Sequence, residues 1–222
     1  MKSAAISTSV ILLLFFIGMA RVPESLTAAK NSVWTDIMPD SSFNQWTRVA
    51  IPPDRPLPEK SQWSADAASH TLVCAGDGGH EWLRYGQELG NFQFHVEWRL
   101  IKHEGAKRYN SGVFVRNNLN GGIWYQAQVG NSSGGYWFGN DNPAGKKPVS
   151  FNLRSQMSSN LVKPAGQWNT FDIRCQGAKV ILKVNGTKTS EFDDCKNLKG
   201  YLGVEAEGSR VEFRQMRIKL LK

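Results

Sequence analysis

Residues 92–100 read Phe92-Gln93-Phe94-His95-Val96-Glu97-Trp98-Arg99-Leu100, and residues 110–116 read Asn110-Ser111-Gly112-Val113-Phe114-Val115-Arg116. In the first stretch Phe94, Val96, Trp98 and Leu100 recur every second residue, with Gln93, His95, Glu97 and Arg99 between them. Successive side chains of an extended chain point to opposite faces, so this spacing predicts a strand with one buried and one wet face. Asn110-Ser111-Gly112 reads as a turn, with a strand over Val113 to Arg116.

The same signature continues outward. Ile123, Tyr125, Ala127 and Val129 share one face of a strand, and Trp124, Gln126 and Gln128 share the other. Gly130 to Lys147 reads as a long Gly/Asn-rich loop carrying Tyr136, Trp137 and Phe138. Trp168 to Arg174 and Val180 to Val184 form a strand pair, and Asn185-Gly186 is a hairpin turn into Thr187 to Glu191. Tyr201 to Glu205 and Val211 to Leu221 close the chain. Between Ile51 and Pro58 four prolines exclude regular structure. Repeats, heptads and long amphipathic helices are absent. Strands with one apolar face each must pack as two sheets. The fold class is all-β, a two-sheet antiparallel jelly-roll sandwich.

The N-terminus is different. Lys2 precedes an apolar run from Val10 to Met19, and Gly18-Met19-Ala20 offers small residues for cleavage. Residues 1–20 read as a signal peptide, 21–32 as a linker and 33–222 as a single domain. This leaves roughly 190 residues, enough for one β core. With Ser7, Thr8 and Ser9 diluting the run, a membrane anchor is the weaker reading, and no integral span is expected after cleavage. Location is therefore expected to be secreted, periplasmic or at the cell envelope. The net charge is +8, but Lys and Arg are scattered. Only Arg210, Arg214, Arg217, Lys219 and Lys222 cluster, alternating with apolar residues as on a solvated strand, so no nucleic-acid partner is expected. Cys74, Cys175 and Cys195 permit one disulfide at most, with Cys175 and Cys195 near one hairpin; the alternative is three buried thiols.

The wet strand faces mix flat aromatics, amides, Arg and His, which suits a carbohydrate: rings stack on sugar C–H groups, and amides bind hydroxyls. Glu97 could be a base, a metal ligand or an ion-pair partner of Arg99 or Arg116. Glu205 and Glu207, one strand period apart, face the same way and could divide acid and base roles. Lys163 lies in a loop. His95 is on a strand, whereas His70, His80 and His103 occupy loop contexts. The spacings of familiar zinc sites, phosphate loops and nucleophile elbows are missing.

Taken in order, these stretches resemble a known family. Phe92 to Leu100 followed by Asn110-Ser111-Gly112-Val113-Phe114-Val115-Arg116 resembles the core of the 3-keto-disaccharide hydrolase domain. Tyr125-Gln126-Ala127-Gln128-Val129, Lys163-Pro164-Ala165-Gly166-Gln167-Trp168-Asn169, Asn185-Gly186 and Gly203-Val204-Glu205-Ala206-Glu207-Gly208 resemble its later motifs, across residues 34–222. The resemblance implies a concanavalin A-like jelly roll acting on 3-keto-glucosides. A ketone at C3 acidifies the C2 proton. A base removes it, the C1 oxygen leaves, and water adds, giving net hydrolysis. The roles implied are base or metal ligand for Glu97 and Glu205, and enolate stabilisation for Arg116 and Lys163. Asn110, Trp124, Gln126, Gln128, Trp137 and Glu207 would bind substrate. No cofactor is certain, although a divalent metal could polarise the ketone. Gln126 stands where the family carries an acid, and Glu205 where it usually carries Gln. A non-catalytic carbohydrate-binding module on the same scaffold is the alternative, and a structural surface domain a distant third.

Overall fold

A computed structural model describes residues 33–105, 108–131, 133–142 and 147–222; the expected signal peptide and linker lie outside them. The chain runs through β1 (Thr35–Asp36), β2 (Trp46–Ala50), β3 (Trp63–Asp66), β4 (Thr71–Cys74) and β5 (Glu81–Tyr85). Then come β6 (Phe92–Leu100), β7 (Asn110–Asn117), β8 (Trp124–Gly130), β9 (Trp137–Asp141) and β10 (Val149–Asn152). A 3-10 turn at Arg154–Gln156 precedes β11 (Asn169–Gln176), β12 (Lys179–Val184), β13 (Thr187–Phe192), β14 (Tyr201–Ala206) and β15 (Val211–Leu220).

Two antiparallel sheets result, the jelly roll expected from the alternation. The first has the order β13-β12-β11-β6-β15-β4-β3, with β1 also pairing β15; the second has β10-β9-β8-β7-β14-β5-β2. Consecutive strands β6 and β7 thus enter different sheets. The core lies between the sheets. Phe94, Val96 and Trp98 of the first are fully buried against the layer that supplies Val113, Val115, Tyr125, Ala127 and Val204 of the second. Burying each such side chain contributes roughly 1.5–3 kcal/mol. Asn185 (φ 49°) and Gly186 (φ 87°) make the hairpin turn that their sequence demands. Among the described residues, no helix is long and apolar enough to cross a membrane.

Four expectations are corrected here. Asn110-Ser111-Gly112 is not a turn but the start of β7. The Gly/Asn-rich loop contains β9, whose alternation sends Trp137 inward to 1 % exposure, so it cannot bind substrate. Arg116 is also fully buried. It sits at φ 54° beside a register shift between β7 and β14, which breaks the strict alternation and turns it away from the wet face. Its guanidinium donates to the backbone oxygens of Gly90 (2.9 Å) and Gly177 (2.7 Å). Glu97 faces outward on the first sheet, accepting from Arg214 Nε at 2.6 Å. Arg99 pairs with Glu212 there, and both guanidiniums lie over the Trp168 ring, at 4.7 and 4.0 Å. All three cysteines are buried free thiols.

Candidate active site

The wet face of the second sheet carries a cavity of about 480 Å³. Its floor is aromatic. Trp82 on β5 meets Phe114 on β7 edge-on at 5.4 Å, Phe114 approaches Trp124 on β8 at 6.5 Å, and Trp124 meets Phe138 on β9 edge-on at 5.3 Å. Gly203 on β14 makes room for this row, since a Cβ there would lie 2.6 Å from the Trp82 ring. Two loops wall the cavity: Pro52 and Pro53 after β2, and Leu119 to Gly121 between β7 and β8. These loops touch, because a Cβ on Gly121 would lie 2.8 Å from the Pro53 ring.

Polar groups stand beside the floor. His80 Nε2, just before β5, lies 2.9 Å from Glu205 Oε1 on β14. Gln126 Nε2 on β8 donates to Glu205 Oε2 at 2.7 Å. Strand β7 runs between β8 and β14, so Gln126 must cross it. It does so over Gly112, where a Cβ would sit 2.3 Å from the amide nitrogen. The other two residues of that motif also act here. Ser111 Oγ donates to the backbone oxygen of Glu205 (2.7 Å), and Asn110 Nδ2 donates to Glu207 Oε2 (2.5 Å) while accepting from Gln128 Nε2 (2.7 Å).

Glu205 is 2 % exposed. Burial pushes its carboxyl above the ordinary carboxylate range, against the pull of His80. The hydrogen bond from Glu205 raises the His80 imidazole above its ordinary value, because a carboxylate favours the imidazolium. The hydrogen bond between them uses one imidazole nitrogen and leaves the other edge of His80 open to the cavity. Such a pair can accept and return a proton. One ligand atom from each of His80, Glu205 and Glu207 lies within 4.8 Å of the others, so the three could also hold a cation. An imidazole with two carboxylates suits a divalent transition metal better than calcium, which takes oxygen ligands alone.

Of the residues singled out in the sequence, Asn110, Trp124, Gln126, Gln128, Glu205 and Glu207 line this cavity. Glu97, Arg116, Lys163 and Trp137 do not; Lys163 is exposed and donates to the Trp168 backbone oxygen at 3.1 Å. Reading the sequence missed His80, Trp82 and the Pro52–Pro53 wall. The run Glu81-Trp82-Leu83-Arg84-Tyr85 does not alternate between apolar and polar residues, so β5, which His80 immediately precedes, left only a weak signal in the sequence.

A family model described as the 3-keto-alpha-glucoside-1,2-lyase-like domain matches residues 33–219. No curated protein matches the chain. Among solved structures, the chain is similar to a glycosyl hydrolase candidate from Parabacteroides distasonis, at 18 % identity and TM-score 0.59, covering 85 % of this chain and 94 % of that one. A carbohydrate-binding module from Bacillus subtilis aligns at 10 % identity and TM-score 0.58, covering 79 % and 95 %. A β-glucanase from Bacillus licheniformis aligns at 11 % identity and TM-score 0.54, covering 86 % and 98 %. At these identities the likeness is one of fold.

Proposed function

The chain belongs to the 3-keto-alpha-glucoside-1,2-lyase-like family, and from that premise we propose that it cleaves 3-keto-glycosides by removing the C2 proton and expelling the C1 oxygen. The observation that carries this reading is the His80–Glu205 pair at the edge of an aromatic-floored cavity. His80 takes the C2 proton at its open nitrogen. The C2–H electrons form the enolate, and the C1–O bond breaks. The alcohol leaves with a proton, and water adds across C1 and C2 to complete net hydrolysis. The Glu205 carboxylate stabilises the imidazolium and fixes the ring, while Gln126 fixes Glu205. Gln128, Asn110 and Glu207 offer hydroxyl contacts, and Trp82, Phe114 and Trp124 offer faces for the ring.

The base is thus His80 rather than Glu205, both of whose oxygens are already engaged. A second reading is favoured by the proximity of the His80, Glu205 and Glu207 ligand atoms. A divalent cation held by them would supply Lewis-acid polarisation of the C3 carbonyl. The site of action in this proposal is outside the cytoplasm, supported by Lys2 and the apolar run Val10 to Met19.

Turnover of a chromogenic 3-keto-glucoside, with and without EDTA, tests these readings. Chromophore release that falls roughly 10²- to 10⁴-fold in His80→Asn and Glu205→Gln, and not in Glu97→Gln, supports the proton-transfer role. Abolition by EDTA favours the metal reading. No release from either anomer, together with binding of unoxidised sugars, would leave a carbohydrate-binding module.

A further inference from the structure

The aromatic floor does not stop at the catalytic cavity. Trp124 and Phe138 also form one side of a second trough, completed by Gly139 and Asn140 of β9 and Ser150, Phe151 and Asn152 of β10. Register puts Trp124, Asn140 and Ser150 in one row across three strands, and Gln126, Phe138 and Asn152 in the next. With its amide turned so that Oδ1 accepts from the Trp124 indole N–H (3.1 Å), Asn140 donates to Ser150 Oγ (2.7 Å). This leaves the Ser150 hydroxyl proton free for a ligand. Asn152 accepts from the Arg154 backbone through Oδ1 (3.0 Å), leaving its amide protons free. The trough therefore offers a fixed indole, a phenyl ring and neutral donors, and among the described residues no charged side chain lines it. That combination recognises a sugar ring rather than an ionic ligand.

Direction matters. On the β2–β5 side the cavity is walled by Ala50, Ile51, Pro52 and Pro53, which touch the β7–β8 turn, whereas on the β9–β10 side it continues into the trough. From Glu205 on β14 to β9 is three strand spacings, roughly 14 Å, more than one hexose spans. A reacting ring at Glu205 therefore leaves the trough to a second unit, and the open side of the cavity gives the departing alcohol a path into it.

We propose that the trough on Trp124 and Phe138 is a leaving-group subsite, so that the protein cleaves a terminal 3-keto residue from an oligosaccharide. The proposal rests on the 3-keto-glycoside reading. Its test compares methyl 3-keto-glucoside with 3-keto di- and trisaccharides, in the full chain and in Asn152→Ala and Ser150→Phe, both at exposed edge-strand positions. The expected result is a kcat/KM that rises with chain length, and a gain that drops at least about tenfold in the variants while methyl glycoside turnover stays unchanged. Equal kcat/KM for all three substrates, or equal loss on all of them in variants that melt like the parent, would overturn the subsite alone. No turnover of any of them by the parent would overturn the 3-keto-glycoside reading and the subsite with it.

Discussion

A carboxyl that is 2 % exposed needs a hydrogen-bond partner for each oxygen, and Glu205 has them in Gln126 and His80. The sign of its coupling to pH follows from His80. The imidazole is raised above its free value of ~6.5 by the Glu205 hydrogen bond, so protonation favours the folded state. That stabilisation is complete below the free value and is lost as pH rises through the folded one. His80→Asn should therefore lower Tm more at pH 6 than at pH 8.5, and melting curves at the two pH values check it. At this scale the sequence was informative wherever alternation held. It put Glu205 with Glu207, and Trp124 with Gln126 and Gln128, each set on one face, and all five line the cavity. Alternation says which face of a strand a residue occupies but not which sheet the strand joins. Glu97 is wet as expected, yet it faces away on the first sheet beside Arg214. Arg116 escaped for a different reason, its positive φ and the neighbouring register shift.

Strand β7 shows how one element builds the site. Its first three residues serve in turn: Asn110 ties Glu207 to Gln128, Ser111 holds the Glu205 backbone, and Gly112 lets Gln126 pass. Gly112→Ala would place a methyl group 2.3 Å from the Gln126 nitrogen and force the amide off Glu205. A hydrogen bond to a charged group contributes about 1.5–3 kcal/mol. If it positions the base, turnover should fall roughly 10- to 150-fold, matching Gln126→Leu, with far-ultraviolet circular dichroism unchanged. The motif looked like a turn because Asn, Ser and Gly are turn residues; contacts with β8 and β14, remote in sequence, override that preference. The same holds for β9, hidden among glycines and asparagines because its outward row is short. The resemblance implies an acid at position 126 and an amide at 205, the reverse of what this chain carries, and that expectation is intelligible at this level. The two side chains are hydrogen-bonded across β7, so the pair keeps one carboxylate and one amide whichever strand carries which.

Across the whole molecule, one core between two sheets accounts for the chemistry of the cysteines. Burial pushes the Cys74 and Cys175 thiols up to about 12, and the Cys195 thiol is raised as well. Thiolate, the reactive form, is scarce at pH 8. A thiol reagent should find no group in the native protein and three after denaturation; fewer than three after denaturation would reveal a disulfide. The jelly roll itself was readable from alternation and turn residues, whereas the catalytic cavity was not, because it needs β5, β14, β7 and β8 side by side and two loops in contact. Elimination is the central claim, and the fate of the C2 hydrogen tests it most directly. A 3-keto-glycoside deuterated at C2 should be cleaved severalfold more slowly than the protium compound, and the released sugar should have lost the label beyond an enzyme-free control, with label loss slowed together with cleavage in His80→Asn. Cleavage at equal rates, with the deuterium retained at C2, would mean direct displacement at C1 and would contradict the mechanism.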